Sequence, residues 1–178
     1  MQTISTNMDG LFEIENKVFH DARGKFVKTF HNDTFVANNL DCDFKESFYS
    51  VSNKDVLRGM HFQKPPHDHA KLVYVVAGEI LDVAVDIRND SETFGCYYAT
   101  NLSFDNAKSL YMSRGFAHGF LTLSDSATVV YMTTSVHSPD DDSGIKWDCF
   151  GFDWNGITNP IVSDRDSKFS GLEGLYGK

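Results

Sequence analysis

Two short stretches set polar side chains among apolar ones: Leu57-Arg58-Gly59-Met60-His61-Phe62-Gln63 and Gly115-Phe116-Ala117-His118-Gly119-Phe120. Each holds an imidazole, the side chain whose charge changes between about pH 5 and 8 and which most often serves as a general base. A single strand histidine is more often structural than chemical, so each needs partners before it counts. Asp82 and Asp86 alternate with Val83 and Val85 and share one strand face. Either that face is solvated or it points inward, and an inward carboxylate must be paired; Asp82 would then be free to orient a histidine. Tyr131, within Thr128-Val129-Val130-Tyr131-Met132-Thr133, is a core ring or, through its hydroxyl, a general acid. Asp164-Arg165-Asp166 and Asp140-Asp141-Asp142 read by themselves as solvated turns.

A metal site is the competing chemistry. His67-Asp68-His69 is an H-x-H pair, and with His118 it makes three imidazoles, a possible ligand set. The acidic residue that metal-dependent cupins carry a few positions later is missing, because Leu72, Val73 and Tyr74 fill that region.

The elements that would position these residues are mostly strands. Extended runs are predicted at Phe26–Phe30, Ser47–Ser52, Lys71–Val76, Ile80–Arg88, Gly95–Leu102, Ser109–Met112, Phe120–Leu123 and Thr128–Thr134. Lys71–Val76 and Ile80–Arg88, separated by Ala77-Gly78, read as a hairpin. Short strands at this spacing argue for an antiparallel barrel or sandwich, with inward polar groups marking a ligand site. Two short helices are predicted, one over Asp33–Leu40 capped by Asn32 or Asp33, the other after Asp164 on the spacing of Phe169, Leu172 and Leu175.

Composition narrows the class. A chain of 178 residues suits one domain, 1–178, with residues from about 160 onward as an extension packed on it. With 41% hydrophobic residues it can build a core, and 15 Phe and 7 Tyr favour strands. The net charge of -9 lacks the basic face of a nucleic-acid binder. Three scattered cysteines, the absence of a signal-type leader and the absence of a long apolar run predict a cytoplasmic protein off the membrane.

Taken in order, the motifs resemble one family, the dTDP-4-dehydrorhamnose 3,5-epimerases. The resemblance runs from Phe19-His20-Asp21-Ala22-Arg23-Gly24-Lys25-Phe26 through Val56–Gln63, Lys71-Leu72-Val73, Gly78-Glu79-Ile80, Asp82–Arg88, Ser91–Gly95 and Gly115–Phe120 to Gly144-Ile145-Lys146-Trp147. It implies an all-β, cupin-type jelly-roll β-barrel with short terminal helices. It also implies epimerisation at C3, C5 or both of a nucleotide-linked 4-keto-6-deoxyhexose, without metal or other cofactor, in the synthesis of deoxysugars for surface polysaccharide. By resemblance His61 is the base, Asp166 its carboxylate partner, Tyr131 the acid and Lys71 the enolate stabiliser, with His118 and Asp82 as a supporting pair. Arg23, Phe26, Glu46, Arg58, Gln63 and His69 are the substrate and nucleotide contacts. Arg23 would reach the diphosphate of a neighbouring subunit, which implies a homodimer.

The departures fall in the nucleotide-contacting shell. Glu46 and Phe48 stand where the family often has Gln and Asn, His69 where it has Gln, Tyr74 where it has Arg, and His137 where it has a second Tyr. They point to a relative acting on another nucleotide sugar, CDP- or GDP-linked, or inverting a single centre. A silent sugar-binding module and a metal-dependent cupin are the readings from other classes.

Overall fold

The computed structural model describes residues 1–175, so positions 176–178 of the expected C-terminal extension lie outside the described residues. In chain order the strands are β1 (Gln2–Ser5), β2 (Leu11–Glu15), β3 (Lys17–Asp21), β4 (Gly24–Lys28), β5 (Glu46–Asn53), β6 (Leu57–Gln63), β7 (Lys71–Ala77), β8 (Glu79–Asp86), β9 (Tyr97–Ser103), β10 (Lys108–Met112), β11 (Phe116–Thr122), β12 (Ser126–Thr133) and β13 (Asp142–Gly144). They form a six-stranded sheet in the order β1-β2-β10-β7-β12-β5, a five-stranded sheet in the order β13-β6-β11-β8-β9, and the separate hairpin β3-β4.

The chain is all-β, but the expected jelly-roll barrel does not form, because no sheet closes on itself among the described residues. Both sheets end in edge strands, β1 and β5 in one, β13 and β9 in the other. The predicted hairpin of β7 with β8 is also corrected. Both edges of β7 are taken by β10 and β12, and both edges of β8 by β9 and β11. Ala77-Gly78 therefore carries the chain from one sheet to the other. Gly78 makes that step at φ +76°, where a Cβ would lie 2.1 Å from the Ser126 carbonyl oxygen, so no larger residue fits.

Side-chain packing joins the two sheets. Val73, Val75, Leu110, Met112, Val129 and Tyr131 from one meet Ile80, Ala84, Leu102, Phe116 and Phe120 from the other. The outer face of the five-stranded sheet is covered as well: Leu57, Met60, Val83, Val85, Ala117 and Leu121 pack under Trp154, with Val162, Leu172 and Leu175 of the C-terminal segment against them. Burial on both faces explains why β8 and β11 carry almost no alternation in their sequence.

The outer face of the six-stranded sheet holds the helix α1 (Asn32–Ala37) through Phe35, whose ring meets Phe30, Phe44 and Tyr111 edge-on. The helix is shorter than predicted and starts after His31, with no side-chain cap. Asn39 turns left-handed at φ +56° and prevents continuation to Leu40. The predicted C-terminal helix is two 3-10 turns, Asp166–Lys168 and Leu172–Gly174, because Gly171 is extended between them.

Candidate active site

β6 and β11 build the floor of a cavity of about 570 Å³ between the sheets. Arg58 and His61 are three residues apart and would face opposite sides of a regular strand. Here the β6–β11 register shifts between His118 and Phe120, so that His118 opposes His61 while Phe120 opposes Arg58. The bulge brings both polar side chains to the inner face. Gly59 adopts φ +137°, and a Cβ on it would sit 2.5 Å from the Gly119 Cα. The two glycines of the two motifs are thus a matched pair that allows the strands to approach.

Each histidine has its own carboxylate. His61 Nε2 lies 2.8 Å from Asp166 Oδ1. Asp166 Oδ2 accepts the Gly59 N–H at 3.1 Å, and Ser163 Oγ accepts the Asp166 N–H at 3.1 Å. Burial opposes ionisation of Asp166, yet the hydrogen bond and charge of His61, then the Gly59 and Ser163 contacts, hold its carboxyl below the ordinary value. A carboxylate only accepts, so Nε2 of His61 carries the proton and Nδ1 is the basic nitrogen. Phe169 backs the ring edge-on at 5.9 Å. The second pair is His118 Nε2 to Asp82 Oδ2, 2.8 Å apart. Burial lowers the His118 pKa against the pull of Asp82, so this imidazole is neutral. Asp82 Oδ1 is buried without a hydrogen-bond partner among the described residues.

The opposite wall belongs to the six-stranded sheet. Glu46, Phe48 and Ser50 alternate along β5, opposite Thr133, Tyr131 and Val129 of β12, and Lys71 of β7 also opposes Thr133. Tyr131 is stacked on Phe48 at 4.9 Å and 17°, and meets His118 edge-on at 6.1 Å. Its hydroxyl lies 3.2 Å from Ser50 Oγ. Burial raises the pKa of the phenol, so it holds its proton. Lys71 is 8% exposed, and burial brings its pKa down to about 8 against the opposing pull of Asp82 and Asp142. Arg58 is steadied by Ser52 Oγ at 2.8 Å and the Val51 carbonyl at 3.2 Å.

The remaining predicted residues divide. Glu46, Gln63 and His69 line the cavity, as does His137. Burial and the Lys71 charge bring the His69 pKa down to about 3, leaving it neutral. Arg23 and Phe26 lie away from the cavity on the separate hairpin, where Arg23 pairs with Asp21 and Phe26 is 60% exposed. Asp86 serves the fold, held by Arg88, Ser91 and Thr93. His67 bonds Asp141 at 2.6 Å, and no group of three or more His, Cys, Asp or Glu is arranged to hold a metal among the described residues. Sequence reasoning missed Ser50, Ser52 and Arg165, which pairs with Asp142 on the cavity rim. The period-two polarity of Ser50 and Ser52 was the available signal.

Imidazole–carboxylate pairs on one wall, with a phenol and an ammonium on the other, define the class: an enzyme equipped for proton transfer, an isomerase. Comparison with known proteins carries this further. The family model for dTDP-4-dehydrorhamnose 3,5-epimerase matches residues 5–174. The dTDP-4-dehydrorhamnose 3,5-epimerase of Methanothermobacter thermautotrophicus is 42% identical over 173 residues, covering 95% of this chain and 93% of that protein. The dTDP-6-deoxy-D-glucose-3,5-epimerase of Legionella pneumophila, solved with dTDP-4-keto-L-rhamnose, superposes at a TM-score of 0.94 with 34% identity, covering 99% of this chain and 95% of that one. A 3'-monoepimerase of Streptomyces bikiniensis, solved with dTDP-quinovose, gives a TM-score of 0.90 at 28% identity, covering 97% and 89%. The chain belongs to the dTDP-4-dehydrorhamnose 3,5-epimerase family.

Proposed function

We propose that this protein inverts C3, C5 or both of a nucleotide-linked 4-keto-6-deoxyhexose by enolisation, as a step in making deoxysugars for surface polysaccharide. The observation that carries the proposal is that His61 and Tyr131 line one cavity from facing sheets. Inversion requires a hydrogen to leave one face of a carbon and another to arrive on the opposite face, and a base and an acid on opposed walls do that without moving the sugar.

In this reading the C4 ketone acidifies the hydrogen on its neighbour and His61 Nδ1 removes it. Asp166 stabilises the imidazolium that forms. The enolate oxygen is met by the Lys71 ammonium, a cation already placed and desolvated. Tyr131 then returns a proton from the other side. The neutral His118 donates its Nε2–H to Asp82 and keeps Nδ1 as an acceptor beside the ring. No electrons are exchanged, so the chemistry asks for no redox cofactor.

Arg58, Glu46, Gln63 and His69 form the rest of the substrate-facing surface, with Phe48 and His137. Arg23 and Phe26 fit the diphosphate and nucleoside of a neighbouring protomer's substrate, which makes the working unit a homodimer. The separate hairpin, with Phe19 and Phe26 exposed and tilted together at 6.1 Å, supports that arrangement, as do the exposed Phe48, Tyr49 and Val51 of edge strand β5. No helix among the described residues is long and apolar enough to cross a membrane. The free Cys42, Cys96 and Cys149 support a reducing, cytoplasmic setting.

The test is solvent deuterium incorporation, followed by NMR, into dTDP-, CDP- and GDP-linked 4-keto-6-deoxyglucose. Label at C3 and C5 identifies a double epimerase and label at one carbon a monoepimerase; the preferred nucleotide shows what Glu46, Phe48 and His137 select. No label in any of the three sinks the proposal.

A further inference from the structure

An acid that gives up its proton must be recharged before it can act again, and the surroundings of Tyr131 make this difficult. The residue is 8% exposed, its ring is closed off by Phe48 on one side and His118 on another, and burial disfavours the phenolate left after donation. Among the described residues one side chain is within hydrogen-bond distance of the phenol oxygen: Ser50 Oγ, at 3.2 Å. Ser50 is only half-buried, lines the cavity, and stands on β5, the edge strand of its sheet. Its hydroxyl therefore meets the buried phenol, and its residue borders the open cavity, where water has access.

We propose that Ser50 is the proton return path of Tyr131. A serine hydroxyl donates one hydrogen bond while accepting others, so it passes a proton without being left charged. After Tyr131 has protonated the carbanion, the Ser50 O–H bond breaks toward the phenolate oxygen as a new O–H bond forms from a cavity water to Ser50 Oγ. The hydroxide left in the water is neutralised by the proton that the His61 imidazolium releases, and the site returns to its starting charge. Ser50 thus acts through Tyr131 and not on the sugar.

The neighbouring serine has a different job, which makes the assignment specific. Ser52, two positions along the same strand, accepts from Arg58 Nε at 2.8 Å and is almost fully buried. Of the two, Ser50 alone combines contact with the acid and access to water.

The inference rests on the reading of Tyr131 as the acid, and its test separates the two. Wild type, Ser50→Ala and Ser50→Thr are compared in rapid-quench assays with the dTDP-linked 4-keto-6-deoxyglucose, or with whichever of the three nucleotide sugars the wild type turns over. In Ser50→Ala the first inversion per site keeps its wild-type rate. Later turnovers slow roughly 10²–10⁴-fold, the usual worth of one positioned proton-transfer group, so a burst of one equivalent per site appears. Small buffer acids that enter the cavity restore the steady rate, and Ser50→Thr, which keeps the hydroxyl, shows no burst. A Ser50→Ala enzyme with unchanged steady turnover overturns the relay, and so does one whose first and later turnovers slow equally, since that is the mark of a purely structural role. A wild type that exchanges no substrate hydrogen overturns the parent reading and the relay with it.

Discussion

Asp166 Oδ1 lies 2.8 Å from His61 Nε2, although 105 positions separate the two residues. The contact depends on the C-terminal segment folding back under the five-stranded sheet, where Asp166 opens a 3-10 turn and also binds the Gly59 amide. An asparagine in its place keeps the size but presents a neutral group that cannot stabilise the imidazolium. Asp166→Asn is expected to lower kcat roughly 10²–10⁴-fold with little change in KM, the span typical of general acid–base groups. Steady-state kinetics beside a near-ultraviolet dichroism spectrum checks this; a mutant with full kcat removes Asp166 from the machinery.

Lys71 predicts the alkaline side of the pH profile. Burial brings its pKa down to about 8, against the pull of Asp82 and then Asp142. The ammonium is the form that stabilises an enolate, and it is the form present below that value. Turnover should therefore fall as pH rises through about 8. Lys71→Met should remove most of the activity, while Lys71→Arg, whose cation does not titrate in this range, should keep some activity and lose the pH 8 limb. A profile flat to pH 10 in wild type would exclude a role for the charge of Lys71.

How much of this was legible in the sequence depends on what each residue needed. His61 and His118 stood out because each is an imidazole set among apolar residues of a strand, His118 between two glycines, and the structure makes them cross-strand neighbours. Asp82 was legible as a carboxylate needing a partner if it faced inward, and His118 is that partner. Asp166 by itself read as part of a solvated turn; no local pattern reports a contact 105 positions away, and only the family resemblance paired it with His61. The sheet assignment failed at Ala77-Gly78 for a related reason. Two strands and a glycine turn look alike whether the strands pair or stack, and what decides is which strand edges are already taken by β9 to β12. The strands β1 and β3 were missed because both are largely exposed and carry little apolar alternation.

Gln63 organises the rim. Its amide nitrogen donates to the His67 carbonyl at 2.7 Å and the Val136 carbonyl at 3.2 Å, while its oxygen accepts the Ser138 N–H at 2.7 Å. Gln63 thus helps hold the segment that carries His137 over the cavity, beside the bond from Ser135 Oγ to the His67 carbonyl at 2.6 Å. Gln63→Glu keeps the shape but sets an acceptor against two carbonyls, an unfavourable contact in a buried place. The expected result is a several-fold rise in KM for the nucleotide sugar with kcat changed less, because His137 shifts while the His61 and Tyr131 walls stay put. Equal loss in both parameters would mean that Gln63 reaches the reacting centre.

Glu13 ties the two sheets together away from the cavity. It accepts from Tyr98 and Thr100 of the five-stranded sheet and pairs with Lys108 at 2.8 Å. Burial pushes its pKa up, but the Lys108, Thr100 and Tyr98 contacts outweigh this and leave it below 4.5. A carboxyl with a lowered folded-state pKa contributes stability above its unfolded value, and that contribution is lost as pH falls through the folded value. Glu13→Ala is expected to cost roughly 2–3 kcal/mol at neutral pH, the scale of a hydrogen-bonded charge whose partners are left unsatisfied. The difference from wild type should shrink as the pH is taken below about 4.5, where the unfolded chain is protonated. Thermal melts at pH 7 and pH 4 measure both.

Gly119 gives the severest test of the site's architecture. A Cβ there would lie 2.6 Å from the Met60 Sδ, 2.7 Å from the Arg58 carbonyl oxygen and 3.1 Å from the Gly59 Cα. The methionine side chain can move aside, but the other two atoms are backbone on the partner strand, so β6 and β11 would have to separate. That separation acts where the register shift turns Arg58 and His61 inward and opposite His118. Gly119→Ala is therefore expected to cost about 3 kcal/mol through overpacking, and to reduce activity more than stability alone explains, because the bulge sets the direction of His61, the proposed base. Ala117→Gly, two residues away on the outer face, weakens packing without touching the bulge and serves as the control. If Gly119→Ala at a temperature where it is fully folded turns over as fast as that control, the close approach of the two strands is not what aims His61.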